Sequence, residues 1–204
     1  FDYMKHEKHL KMFYCFFVMS FGATMGIAMA SNILTMYLFY ELLTLFTIPL
    51  VMHGLTKKHN QAARKYMTYS IGGAAFAFAG VAFLIVNDAN DFVFGGHITS
   101  PEDPTIALIL FVFAFLGFGV KAAVFPLHSW LPTASVAPTP VTALLHAVAV
   151  VKAGAFAIIR ITYYSFGTEL LIGTYAQYII MIAALVTILF GSTMALKEQH
   201  LKRR

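Results

Sequence analysis

The sequence predicts an all-α integral membrane protein with about six transmembrane helices, one of them broken near Pro126. Three observations carry this reading. Of the 204 residues, 59% are hydrophobic and 11% are charged, against about 25% charged in an ordinary soluble domain, and the mean hydropathy is +0.75. Six apolar runs are each long enough to cross about 30 Å of hydrocarbon as a helix, and none shows the period-2 alternation of a membrane β-barrel. The basic residues gather between alternate runs. Disorder is excluded by the hydrophobicity, and the length leaves no room for a large aqueous domain.

The first run extends from Met12 to Ala30, behind Lys5, Lys8 and Lys11. This opening imitates a signal peptide, with Ala28-Met29-Ala30 in the place of a cleavage site. The run is long for a signal core and further spans follow, so it reads as a membrane helix. The second run, Ile33 to Met52, carries Glu41 near its middle, and the third covers Tyr66 to Val86. The fourth starts near Thr105 and passes Val120 and Lys121 into Pro126. Proline there removes a backbone donor and clashes with the preceding turn. Such a break is tolerated in a membrane where the freed backbone is buried in protein or lines a wet cavity. The fifth run is Val141 to Tyr163 and the sixth Tyr175 to Leu196.

The charges orient these spans. Eleven of the fourteen Lys and Arg residues fall in the leading segment, in the Lys57–Lys65 loop or in the tail with Lys197, Lys202, Arg203 and Arg204. The intervening connections hold none and carry Asp88, Asp91, Glu102, Asp103 and Glu169 instead. Positive loops stay cytoplasmic, so both termini of the chain are expected inside, in the plasma or inner membrane. The net charge of +5 is thereby explained without nucleic acid. The single cysteine, Cys15, excludes a disulfide framework and a cysteine-based zinc or iron–sulfur site. No phosphate loop, metal site or cofactor motif is readable, and no catalytic centre. A first residue of Phe1 points to a fragment or a processed chain.

Four ionisable residues inside spans are candidates for chemistry: Glu41, Lys121, His146 and Lys152, with His128 after the break as a further member. A charged group at mid-membrane costs at least roughly 2.5–3.5 kcal/mol, so such residues pair, face water or act. Desolvation and a nearby carboxylate work on a buried lysine in opposite senses, so a change in the Glu–Lys separation takes up or releases a proton. An unperturbed histidine changes charge between about pH 5 and 8 and suits the same relay. On an ideal helix His146 and Lys152 lie about 9 Å apart along the axis and about 120° apart around it. The competing structural reading makes Glu41 and Lys121 a static ion pair, lets Lys152 and Arg160 snorkel, and makes His128 a hydrogen-bonded helix-end residue. A haem-bearing electron carrier, the third alternative, would want facing histidines, whereas His53 and His59 sit in the basic loop.

The stretch from Val120-Lys121 through Phe125-Pro126-Leu127-His128-Ser129-Trp130-Leu131-Pro132 resembles the proton-translocating antiporter-like membrane subunits. So does Ala137-Pro138-Thr139-Pro140-Val141, continuing through His146 to Lys152-Ala153-Gly154. This family comprises the pumping subunits of respiratory complex I, the large Mrp Na⁺/H⁺ antiporter subunits and membrane-bound hydrogenase relatives. The resemblance implies a proton relay of Glu41, Lys121, His146 and Lys152, other membrane subunits and lipid as partners, and protons, or sodium beside them, as the transported ion. It implies that residues 12–163 form a first five-helix inverted repeat and that residues 175–196 open a second. Residues 1–204 are then a single transmembrane domain covering under half of a usual member. One position departs from the family pattern: Thr133 stands where an acidic residue is frequent.

Overall fold

The computed structural model describes residues 4, 7, 9–98 and 104–199. It is helical, and among the described residues no strand forms beyond an isolated bridge between Asn32 and Asp91. Lys5, Lys8, Glu102, Asp103, Lys202, Arg203 and Arg204, which enter the charge argument, lie outside the described residues. Six helical segments are long and apolar enough to span a membrane.

Helix α1 (Leu10–Met29) buries the stripe Phe13, Ser20, Ala23 and Ile27. Helix α2 (Ile33–Met52) begins where Asn32 caps it, its side chain accepting from the Thr35 amide at 2.8 Å. Such a cap contributes about 1 kcal/mol. Helix α3 (Lys57–Val86) starts nine residues before the predicted Tyr66. Its cap is Thr56, whose hydroxyl meets the His59 amide and, at 2.7 Å, His59 Nδ1. The basic stretch Lys57–Lys65 is therefore the first two turns of a helix and not a loop. Polarity set the predicted boundary, but a good cap carries a helix well past the apolar zone.

Helix α4 (Pro104–Lys121) ends at the lysine itself. An irregular segment and the short helix α5 (Trp130–Ala134) follow, so the predicted break is present. The fifth span is not one uniform helix. It runs as α6 (Thr139–Ala143), a π turn over Leu144–Val148, α7 (Val150–Arg160) and a second π segment over Ile161–Phe166. The first π turn is closed by the Ala149 amide donating to the Leu144 carbonyl at 2.8 Å, five residues back. The ideal-helix separation of His146 and Lys152 therefore does not apply, because the widened turn changes both rise and rotation between them. After α8 (Thr168–Leu171) the last span is α9 (Tyr175–Lys197), along which only Ala176 is buried.

Helix α4 is the centre of the bundle, packed against α3 on one side and α7 on the other. Glycines set the α3–α4 distance. A Cβ on Gly117 would strike the backbone of Ala77 and Gly73, and one on Gly80 would meet Ala114. Close approach through small residues is how membrane helices gain packing without a hydrophobic drive between them.

The connection after α3 forms a strap. Its backbone bonds to the start of α2 through the Ile33 amide on the Asn90 carbonyl (2.8 Å) and the Phe92 amide on the Ser31 carbonyl (3.3 Å). It bonds to the end of the fifth span through the Val93, Gly95 and His97 amides on the Tyr164, Tyr163 and Ser165 carbonyls, at 3.0–3.1 Å. A helix end leaves carbonyls without intrahelical donors, and the strap supplies donors. Arg160 lies over the rings of Phe92, Phe156 and Tyr164 at 4.9–5.1 Å. Its guanidinium is thus held on aromatic faces, where the structural reading of the sequence has it snorkel.

Candidate functional site

Lys121 is the last residue of α4 and only 1% exposed. Its ammonium donates to the Tyr40 carbonyl of α2 and sits over the Tyr40 ring, 3.3 Å from the centroid. A carbonyl has two lone pairs, so Tyr40 can serve its own helix and the lysine together. Tyr40 is itself fixed: its hydroxyl donates to the Phe118 carbonyl at 3.3 Å and its ring meets Phe118 edge-on at 5.0 Å. The lysine is therefore seated on the residue beside Glu41 and not bound to Glu41. Glu41 is half-buried, and its Oε1 is shut from solvent with no hydrogen-bond partner among the described residues.

The break that ends α4 is built from the motif residues. Ala123 takes a left-handed conformation (φ 59°), which costs a residue with a Cβ about 1–2 kcal/mol. The chain then turns through the Val124 amide on the Gly119 carbonyl at 2.9 Å. Trp130, fully buried, donates its indole N–H to the Val120 carbonyl at 2.8 Å, so the tryptophan of the motif joins the Ala123 amide (3.1 Å) on a carbonyl at the end of the broken helix. The indole packs against Tyr66 at 4.9 Å, and the Tyr66 hydroxyl bonds Thr47 of α2 at 2.8 Å. Gly154 of α7 lies against Ala122 so closely that a Cβ would strike that backbone. Trp130→Phe should keep most of the packing and leave the Val120 carbonyl with the Ala123 amide alone, at a cost of about 0.5–1.5 kcal/mol for the lost hydrogen bond. A melting temperature lowered by several degrees in the purified full-length protein would show it, and an unchanged one would refute it.

The remaining predicted residues stand on other elements. His146 is half-buried within the first π turn, and Lys152 is exposed on α7. His128 is half-buried, stacked on Phe125 at 5.5 Å and edge-on to Phe190 at 5.1 Å, with Nδ1 buried and unbonded among the described residues. The loop histidines serve locally. His59 belongs to the α3 cap, and His53 lies edge-on to Phe13 at 5.3 Å, where burial holds its imidazole below the usual histidine range. Thr133, the departure from the family pattern, accepts a hydrogen bond from the Lys65 ammonium at 3.3 Å. An acid at that position would meet the same lysine.

Sequence reading missed three participants. Tyr40 precedes Glu41 in the sequence, where nothing marks its carbonyl as a seat for the lysine. Trp130 was recognised as part of a motif without a task. Nothing in the sequence points to Thr187, whose hydroxyl accepts the Phe125 amide at 2.9 Å across 62 residues of chain.

Comparison with known proteins agrees with this architecture. Residues 30–204 match the family described as NADH:quinone oxidoreductase/Mrp antiporter, TM. An Na⁺/H⁺ antiporter subunit from Alkalihalophilus pseudofirmus is 32% identical over 206 residues, covering 97% of this chain and 24% of that protein. The chloroplastic NAD(P)H-quinone oxidoreductase subunit 5 of Ipomoea purpurea is 29% identical over 210 residues, covering 99% and 29%. Among solved structures, the Mrp complex from Dietzia sp. DQ12-45-1b superposes with a TM-score of 0.79 at 25% identity, covering 94% of this chain and 21% of that one. Respiratory complex I from Thermus thermophilus gives 0.73 at 24% identity, over 94% and 41%, and so shares the fold. The chain thus spans about a quarter of the length of the curated relatives it matches. With most of its length matched, its membrane helices in place and the motif residues forming the broken helix, the chain belongs to the NADH:quinone oxidoreductase/Mrp antiporter transmembrane family.

Proposed function

We propose that this chain is the proton-handling part of a subunit in an ion-translocating membrane complex, working through Glu41, Lys121, His146 and Lys152. The observation that carries the proposal is the seat of Lys121. A fully buried ammonium is held by one carbonyl and one ring face, while the adjacent carboxylate keeps an unbonded buried oxygen. A lysine with a single hydrogen bond and a carboxylate within electrostatic reach has a second place to go. Movement toward Glu41 stabilises the charged pair, and movement away favours loss of the proton.

Residues 12–163 act as the first repeat and residues 175–196 open the second. His146 in the π turn and the exposed Lys152 carry the path from Lys121 toward the second repeat. Wide turns of this kind recur at functional positions in helices. The other membrane subunits of the complex are the partners, and both ends of the chain lie on the cytoplasmic side of the plasma or inner membrane. Protons are the transported ion, with sodium as the alternative that the antiporter relatives suggest.

The test is a double substitution, Glu41→Gln with Lys121→Met, in the full-length protein reconstituted in vesicles with a pH-sensitive dye. Loss of proton movement with intact assembly is expected. Preserved assembly together with preserved pumping would establish the rival view, in which the charges only lock helices.

A further inference from the structure

In an unbroken helix the Phe125 amide would bond the Lys121 carbonyl, four residues back. Here it donates to Thr187 Oγ1 of α9 at 2.9 Å. The Thr187 hydroxyl gives its own proton to the Ala183 carbonyl at 2.6 Å. Its lone pairs are thus what it offers to Phe125. Three residues further along α9, Phe190 meets Phe125 at 5.0 Å and His128 at 5.1 Å. A cavity of about 270 Å³ separates the break from α9, bordered by Phe125, His128, Thr187, Phe190 and Glu198. Only Ala176 of α9 is buried, so this hydrogen bond is a polar anchor midway along a helix whose first residue, Tyr175, donates its hydroxyl to the Thr105 carbonyl of α4 at 3.2 Å.

We infer that Thr187 is a positioning residue for Lys121, an assignment that rests on the relay reading above. Without an acceptor on α9, the Phe125 amide has two alternatives. It can rewind onto the Lys121 carbonyl and carry the helix on toward Pro126, or it can take water from the cavity. Rewinding extends α4 past Lys121 and displaces the ammonium from the Tyr40 carbonyl. Hydration lets the segment after Lys121 drift. Thr187 prevents both, and it does so from the sixth span. The position of the lysine in the first five helices is therefore set by the helix that follows them.

The experiment uses the full-length protein in its complex, comparing Thr187→Val, which keeps the shape and loses the acceptor, with Thr187→Ser, which keeps the acceptor. Amide exchange of the segment holding Phe125 should accelerate about tenfold in the valine variant and stay at the parent rate in the serine variant. Proton transport in vesicles should fall with valine and be rescued by serine. Parent-like exchange in Thr187→Val overturns the contact. Accelerated exchange with parent-like transport overturns the positioning role. If the valine variant does not assemble, Thr187→Cys, with a weaker acceptor, gives the same reading, and unchanged exchange there likewise overturns the contact. Failure of the relay reading would show separately, as transport surviving in a Lys121→Ala variant whose Thr187 is intact.

Discussion

Lys121→Arg in the full-length protein should assemble and yet lose proton translocation by at least about tenfold, as Lys121→Ala should. The arginine variant is the more informative of the two. It keeps the positive charge, the capacity to donate to the Tyr40 carbonyl and the attraction to the Tyr40 ring. It does not release its proton within a protein. A lysine that served only to pin α4 against α2 would be replaced by arginine at modest cost. A lysine that passes a proton would not be replaced at all. Dye-reported proton uptake in vesicles, normalised to assembled complex, separates the two cases, and transport near the parent rate in Lys121→Arg would sink the relay. The alanine variant adds a second reading. It removes the buried charge and leaves a void beside Tyr40, a core residue only 1% exposed. Its melting temperature should therefore stay close to that of the parent or fall, while transport is lost in both variants.

The second large effect concerns assembly. Gly117→Val places a branched side chain where even a Cβ meets the backbone of Ala77 and Gly73. Backbone cannot swing aside as a side chain can, so α3 and α4 must part. Overpacking of this kind costs about 1–3 kcal/mol or more, and here it falls on the pair of helices at the centre of the bundle. Loss of assembled protein, or a melting temperature many degrees lower, is the expected result on size-exclusion and thermal unfolding. Gly72→Ala is the matched control, because its Cβ would meet nothing within 4 Å. If the two variants behave alike, the close approach is not what holds α3 to α4.

The parts of the molecule that were legible in the sequence are those written in hydrophobicity and in proline. Apolar runs locate the spans because unsatisfied backbone is intolerable in lipid, and Pro126 announces the break. Where α3 begins was not legible, because Thr56 caps a polar turn that hydropathy assigns to a loop. The π turns were invisible, since a widened turn uses the same residues as a regular one. In the site, residue types revealed which groups are ionisable but not what they touch. Glu41 and Lys121 suggest an ion pair on paper, whereas the fold puts the ammonium on a carbonyl that every residue possesses. Backbone acceptors carry no sequence signature. Thr187 was hidden for the same reason, its donor being a main-chain amide 62 residues away.

The strap after α3 has a mechanical consequence. It pins the start of α2 and the finish of the fifth span to one another at a single face of the bundle, and the break in α4 lies toward the opposite face. Helices tied at one end act as levers with a shared fulcrum. Tyr40 is seven residues from Ile33. It stands about 10 Å from the pin at 1.5 Å per residue, so a tilt of about five degrees carries it through about 0.9 Å. That is wider than the span between a good hydrogen bond and a lost one. A tilt of that size is as large as the change that would make or break the hydrogen bond between Lys121 and the Tyr40 carbonyl.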